Sequence, residues 1–115
     1  MEVKNHRGKK AMLGEAQLQA VATLFGVLAE PTRLRILQAL RSGPASVSQI
    51  MEAAAIKQAN ASKQLGMLHH AGVLAREKEG NVVRYSIRMP LIFDLCDLVC
   101  TSLRDEANAK ARLLS

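Results

Sequence analysis

The sequence predicts a mainly α fold that carries a two-stranded β-hairpin. Three observations predict it. Apolar residues recur at helical spacing in successive segments, and Pro31, Gly43-Pro44, Gly72 and Pro90 punctuate them. A short helix opened by Ser46 is followed at once by a second across a turn at Ala55-Ile56-Lys57-Gln58, a helix–turn–helix arrangement. Two β-like runs, residues 73–79 and 82–87, are then joined through Glu79-Gly80-Asn81.

In chain order, residues 1–11 are polar and basic with no period and read as a flexible tail, leaving residues 12–115 as one domain. Residues 14–29 place Leu18, Val21, Ala22, Phe25 and Leu28 at helical spacing, an apolar face suited to pack on something large. Glu30-Pro31 breaks this helix, because Pro31 lacks an N–H and disfavours helix at the residue before it. Pro31 also suits the first turn of a new helix. That helix carries Leu34, Ile36, Leu37 and Leu40, with Arg33, Arg35 and Arg41 mostly outward, and stops at Ser42-Gly43-Pro44. Ser46 is a candidate N-cap, and Gln49 completes a capping box; Val47, Ile50 and Met51 face inward. The following helix starts near Ala59 or Asn60 and ends at Ala71, with Ala61, Leu65 and Leu68 as its buried stripe. Small Ala61 lets the two helices pack closely at a steep angle. Gly72 ends the helix, and Arg76, Lys78, Arg84 and Arg88 stud the hairpin beyond it. From Pro90 a last helix reaches roughly to Leu113, with Ile92, Leu95, Cys96, Val99, Cys100 and Leu103 along one stripe. Other helices already fill the small core, so the surplus stripe points to a partner helix.

A chain of 115 residues has room for one modest core. Lys and Arg outnumber Asp and Glu by 16 to 10, a net charge of +6, which favours a polyanionic partner but also fits a merely soluble basic protein. No apolar run approaches the roughly 20 residues a bilayer span needs, so no membrane partner is expected. The charged start, MEVKNHRGKKAM, has no apolar stretch behind it, so the expected compartment is the cytoplasm. Two cysteines are too few for a disulfide framework. The aromatics are Phe25, Tyr85 and Phe93, too few for base-stacking platforms, which favours duplex DNA over single strands or RNA. No enzyme is expected: no histidine lies near the cysteines in sequence, and there is no Gly-rich phosphate loop or paired acid–base motif.

Once the buried stripe is removed, the second helix of the pair keeps Asn60, Ser62, Lys63, Gly66 and His70 outward, with Gln58 at the turn. Asn and Gln can pair bidentately with adenine, Lys donates to guanine, and Ser tolerates several partners. Such a face is also what an ordinary solvated helix shows. The following hairpin tips the balance, since Lys78 and Arg84 would project toward a flanking groove or phosphates.

The stretches LFGVLAEPTRLRILQALRSGPASVSQI and ASKQLGMLHHAGVLAREKEGNVVRYSI carry a family likeness. They resemble the winged helix–turn–helix of the ArsR/SmtB family of bacterial repressors. Ser62, Leu65, Leu68, Gly72, Val73 and Tyr85 stand where that family has its helix and wing markers. Where the family often has His after Ser-Arg, this chain has Ser62-Lys63-Gln64, which places Gln64 at an expected DNA-backbone contact. The resemblance implies a homodimer built from the first and last helices. It also implies repression of transcription until an inducer binds. Recognition helices about one DNA turn apart would match an inverted-repeat operator.

Cys96 and Cys100 are spaced i, i+4, so both thiols share one helical face. Three readings stand: small apolar residues filling a seam, ligands for a soft ion such as zinc, cadmium or arsenite, or sensors of oxidants and reactive sulfur. Asp94 and Asp97 would help neutralise a bound cation. One pair supplies only two soft ligands, so a closed metal site would need both subunits or oxygen donors. Many metal-sensing members of the family have an ELCVCD-like motif where this chain has SQIMEAA, and others use His on the last helix, which has none here. Persulfide-responsive members have a last-helix cysteine where Cys100 falls, but Gln38 occupies the place of their second cysteine. Cys96 replaces it poorly, because an i, i+4 disulfide fits a regular helix badly, whereas a trisulfide-like bridge or an arsenic atom spans the gap more easily. Adjacent His69 and His70 point in different directions and make no metal pair. The expected function is a double-stranded-DNA-binding repressor released by an inducer sensed at the last-helix thiols, with no required cofactor. The alternatives are a winged-helix protein-interaction module and a DNA-binding regulator without thiol sensing.

Overall fold

The computed structural model describes residues 13–114; the basic tail expected at residues 1–11 lies outside them. The element order is α1 (Glu15–Val27), α2 (Pro31–Ala39), β1 (Ala45–Ser46), α3 (Val47–Ala54), α4 (Gln58–His70), β2 (Leu74–Glu79), β3 (Val82–Ile87) and α5 (Leu91–Leu114).

Each boundary has a local cause. Glu30 caps α2 by accepting from the Arg33 N–H at 3.1 Å, with Pro31 opening the helix. Ser46 and Gln49 form the capping box of α3, at 3.2 and 2.9 Å. Ala55, at φ 56°, turns the chain left-handed after α3, a conformation that usually falls to glycine. The end of α4 is a Schellman closure. Gly72, at φ 81°, donates to the His69 carbonyl, and Val73 donates to that of Leu68, both at 3.0 Å. Leu68 and Val73, the apolar pair of that closure, are both fully buried.

The hairpin turns on Gly80 and Asn81 alone, with Glu79 opposite Val82. Gly80 takes φ 63°, as the first position of a II′-type turn requires. The sheet differs from the sequence expectation in one respect. It has three strands in the order β1-β3-β2, because Ala45 and Ser46 pair with Tyr85 and Arg84. Helix α4 also starts a little earlier than expected, at Gln58.

One core lies between α2, α3, α4 and the sheet: Ile36, Leu37, Leu40, Ile50, Ala54, Ala61, Leu65, Leu68, Val73, Leu74, Tyr85 and Ile92. The outer helices contribute little to it. Helix α1 has no buried residue and α5 has only Ile92. Every residue from 97 to 114 is exposed. The radius of gyration, 17.9 Å, accordingly exceeds the roughly 13 Å of a compact domain of about this length.

Candidate nucleic-acid interface and thiol groove

Helix α4 buries Ala61, Leu65 and Leu68 and exposes Gln58, Asn60, Ser62, Lys63, Gly66 and His70. A Cβ on Gly66 would meet nothing within 4 Å, so this part of the helix can approach another surface closely. Gln64 departs from its expected place on the DNA side. It is 8% exposed, and both ends of its amide are occupied. Its Oε1 accepts from Arg33 Nη1 at 3.0 Å, and its Nε2 donates to Asn60 Oδ1 at 3.1 Å. The reason is helical spacing, since Gln64 lies one turn before Leu68 and sits on the flank of the buried stripe. Gln64 therefore holds Asn60 and is turned away from solvent. That bond fixes the Asn60 amide with Oδ1 toward Gln64, leaving the Nδ2 donors for other partners.

Arg33 is the residue that sequence reasoning missed. Read as mostly outward, it is half-buried at a junction of three helices. Its Nε donates to the Val27 carbonyl at 2.6 Å and its Nη2 to that of Gly26 at 3.3 Å, satisfying the C-terminal end of α1. The same guanidinium grips Gln64. Arg35 and Arg41 are engaged too. Arg35 donates to the Ala54 carbonyl at 3.3 Å and to Thr32 Oγ1 at 3.1 Å. Arg41 pairs bidentately with Asp97, at 3.1 and 2.7 Å, and lies 4.8 Å from the centre of the Phe93 ring. The hydrogen bond from Arg41 holds the Asp97 carboxyl below its ordinary range.

The hairpin register separates the two cations expected to act together. Lys78 stands opposite Val83, on the face that carries Tyr85; Arg84 stands opposite Glu77, on the other face. Lys78 is exposed. Arg84 is half-buried and pairs with the exposed Glu79 at 3.3 Å, which places an acidic partner beside its charge.

The thiols lie elsewhere. Cys96 is half-buried and Cys100 exposed, and both line an open groove of about 430 Å³ with Phe25, Leu28, Leu34, Leu95, Val99 and Leu103. Arg104 Nη2 approaches Cys100 Sγ at 3.3 Å. Asp94 and Asp97 line a different concavity with Leu98, Thr101 and Asp105, so the carboxylates expected to help the thiols face away from them. Gln38 and Cys96 both line a small neighbouring pocket. Among the described residues no group of three or more His, Cys, Asp or Glu could hold a metal ion, and no helix is long and apolar enough to cross a membrane.

A family profile described as a helix-turn-helix domain matches residues 28–77. An uncharacterized HTH-type transcriptional regulator of Mycobacterium tuberculosis is 38% identical over 85 residues, which cover 73% of this chain and 75% of that protein. The crystal structure of AntR, an antimony-specific transcriptional repressor, superposes with a TM-score of 0.74 at 32% identity, covering 84% of this chain and 88% of that one. The solution structure of a homodimeric winged helix-turn-helix DNA-binding domain from Mycobacterium bovis, described as a possible ArsR-family transcriptional regulator, superposes with a TM-score of 0.73 at 27% identity, covering 86% of this chain and 94% of that one.

An exposed reading helix set beside a basic wing on this scaffold defines a winged helix–turn–helix transcriptional regulator, not an enzyme. Sequence and structure agree on which kind: the chain belongs to the ArsR/SmtB family.

Proposed function

We propose that the chain is a homodimeric, cytoplasmic repressor that binds an inverted-repeat operator in double-stranded DNA. It leaves that operator when an inducer reacts with Cys96 and Cys100. The observation that carries the DNA part is the exposed polar face of α4, Gln58, Asn60, Ser62 and Lys63, with the exposed Lys78 on the wing that follows. The groove helix reads base edges and the lysines meet phosphates. The apolar faces of α1 and α5, Leu18, Val21, Phe25, Leu98, Val99 and Leu103, are what a second copy would cover. An antimony-specific relative supports a soft metalloid or metal as inducer. No cofactor is required for DNA binding.

Fluorescence anisotropy on a duplex from the chain's own promoter tests the first part. Binding should weaken steeply with salt, and Lys63→Ala should lower affinity; a protein-docking module would show neither effect. The second part is tested by Cys96→Ser and Cys100→Ser. Release by arsenite, zinc or a persulfide donor should be lost in these variants. Unchanged release in both would return the thiols to simple packing.

A further inference from the structure

We propose that Arg33 and Gln64 set which end of the Asn60 amide faces DNA, and that Asn60, so held, reads the acceptor edge of a guanine in the major groove. This deepens the DNA-binding function above and rests on it.

The two ends of a carboxamide have nearly the same shape and opposite hydrogen-bonding character, so its partners decide which way it stands. An asparagine on a bare helix face can present either end. Asn60 is constrained, because its partner Gln64 is buried on the flank of the α4 stripe and has a guanidinium on its far side. A guanidinium carries N–H donors and no acceptor. Arg33 Nη1 therefore calls for an acceptor, and Gln64 supplies Oε1 at 3.0 Å, which places Gln64 Nε2 at the other end. Nε2 calls for an acceptor in turn, and Asn60 Oδ1 stands 3.1 Å from it. Arg33 is anchored against swinging away, since its Nε and Nη2 hold the Val27 and Gly26 carbonyls at 2.6 and 3.3 Å. Turning Gln64 over would set donor against donor in a buried place, where water does little to compensate.

One hydrogen-bond polarity thus runs from the end of α1 to the first turn of α4. Asn60 is the third residue of α4, in the part of a reading helix that meets base edges. The bidentate pairing of a free asparagine with adenine presents Oδ1 and Nδ2 together. Holding Oδ1 toward Gln64 weights the contact toward the two N–H donors of Nδ2. Guanine is the base whose major-groove edge offers two acceptors, N7 and O6, and no donor.

The test inverts the polarity with Gln64→Glu. A carboxylate stays ionised beside the Arg33 guanidinium, keeps that contact, and offers Asn60 an acceptor where Gln64 offered a donor. The Asn60 amide should then turn over and present Oδ1. Wild type, Gln64→Glu and Asn60→Ala each select duplexes from a pool randomised across the binding site, and fluorescence anisotropy measures the winners. Asn60→Ala should erase the preference at one position of each half-site, and wild type should hold a G·C pair there. Placing 7-deazaguanine, which pairs normally but lacks N7, at that position should weaken wild type about fivefold and leave Asn60→Ala unaffected. Gln64→Glu should lose its sensitivity to 7-deazaguanine and favour adenine or cytosine on that strand, with the other positions unchanged. An unchanged base pattern in Gln64→Glu overturns the positioning role, and so does a uniform loss of affinity for every sequence, which a merely structural contact would give. An A·T pair at the position that Asn60→Ala erases, or indifference of wild type to 7-deazaguanine, overturns the guanine assignment without any change at residue 64. Absence of salt-dependent duplex binding by wild type overturns the DNA-binding function itself.

Discussion

At the level of single side chains, Gln64 has the widest reach. It joins Arg33 to Asn60, so one amide connects the end of α1 to the exposed face of α4 proposed to meet DNA. Gln64→Leu keeps the volume and the helix but removes both bonds and strands Arg33 Nη1. Operator affinity should fall about tenfold, with the far-UV circular dichroism unchanged; a titration of the variant against the operator checks this. Asp97 makes a second prediction. Its folded pKa is lowered by the hydrogen bond from Arg41, so the pair's contribution is complete above the ordinary carboxylate range. It fades as pH falls through the lowered folded value. Asp97→Asn should flatten that acid limb of the stability curve, as urea unfolding at a series of pH values would register. The Arg33–Gln64 bond could not be read from the sequence, because its partners are 31 residues apart and neither belongs to an apolar period. A guanidinium on a helix looks outward until the neighbouring helix end is known to need a donor.

Local elements were more legible than contacts between them. The capping box at Ser46 and Gln49, the glycine stop at Gly72 and the turn at Gly80 each follow from chemistry within a few residues, and each is present. Strand β1 was not visible, since Ala45 and Ser46 are too short for any period and form a strand only by pairing with the distant β3. The wing shows the same divide. Its cations could be listed by type, but only the register sets Lys78 and Arg84 on opposite faces and gives Arg84 an acidic partner. Lys78→Ala should therefore reduce the salt slope of operator binding by about one, and Arg84→Ala should reduce it much less. Anisotropy at several salt concentrations separates the two, and equal slopes would argue that the wing meets DNA through its other face. The exposure of Gln58, Asn60, Ser62 and Lys63 was legible from the helical period, and the burial of Gln64 was not, because there a polar residue sits on the flank of an apolar stripe.

The whole molecule is a small core with two long arms. The core spans α2 to the first turn of α5, and the arms carry apolar surface that the chain does not itself cover. That division explains why family and fold could be recognised from the middle of the sequence while the inducer could not. The thiols lie on an arm, and the character of their groove depends on Phe25, Leu28 and Leu34, far away in sequence. It also bears on how the protein lives at low abundance. Helix α1 has no fully buried residue in its own chain and packs on the core only through the partly buried Leu24 and Val27, and a short helix with so little tertiary support is marginal in water. Its amide protons should then exchange with solvent at a rate set by protein concentration: fast when the chain is dilute, slow once copies meet. Hydrogen–deuterium exchange across a dilution series should show this for α1 and not for α4. A second copy seated on that face would tie the steadiness of this arm, and of the Arg33 contact that leads to α4, to the number of copies made.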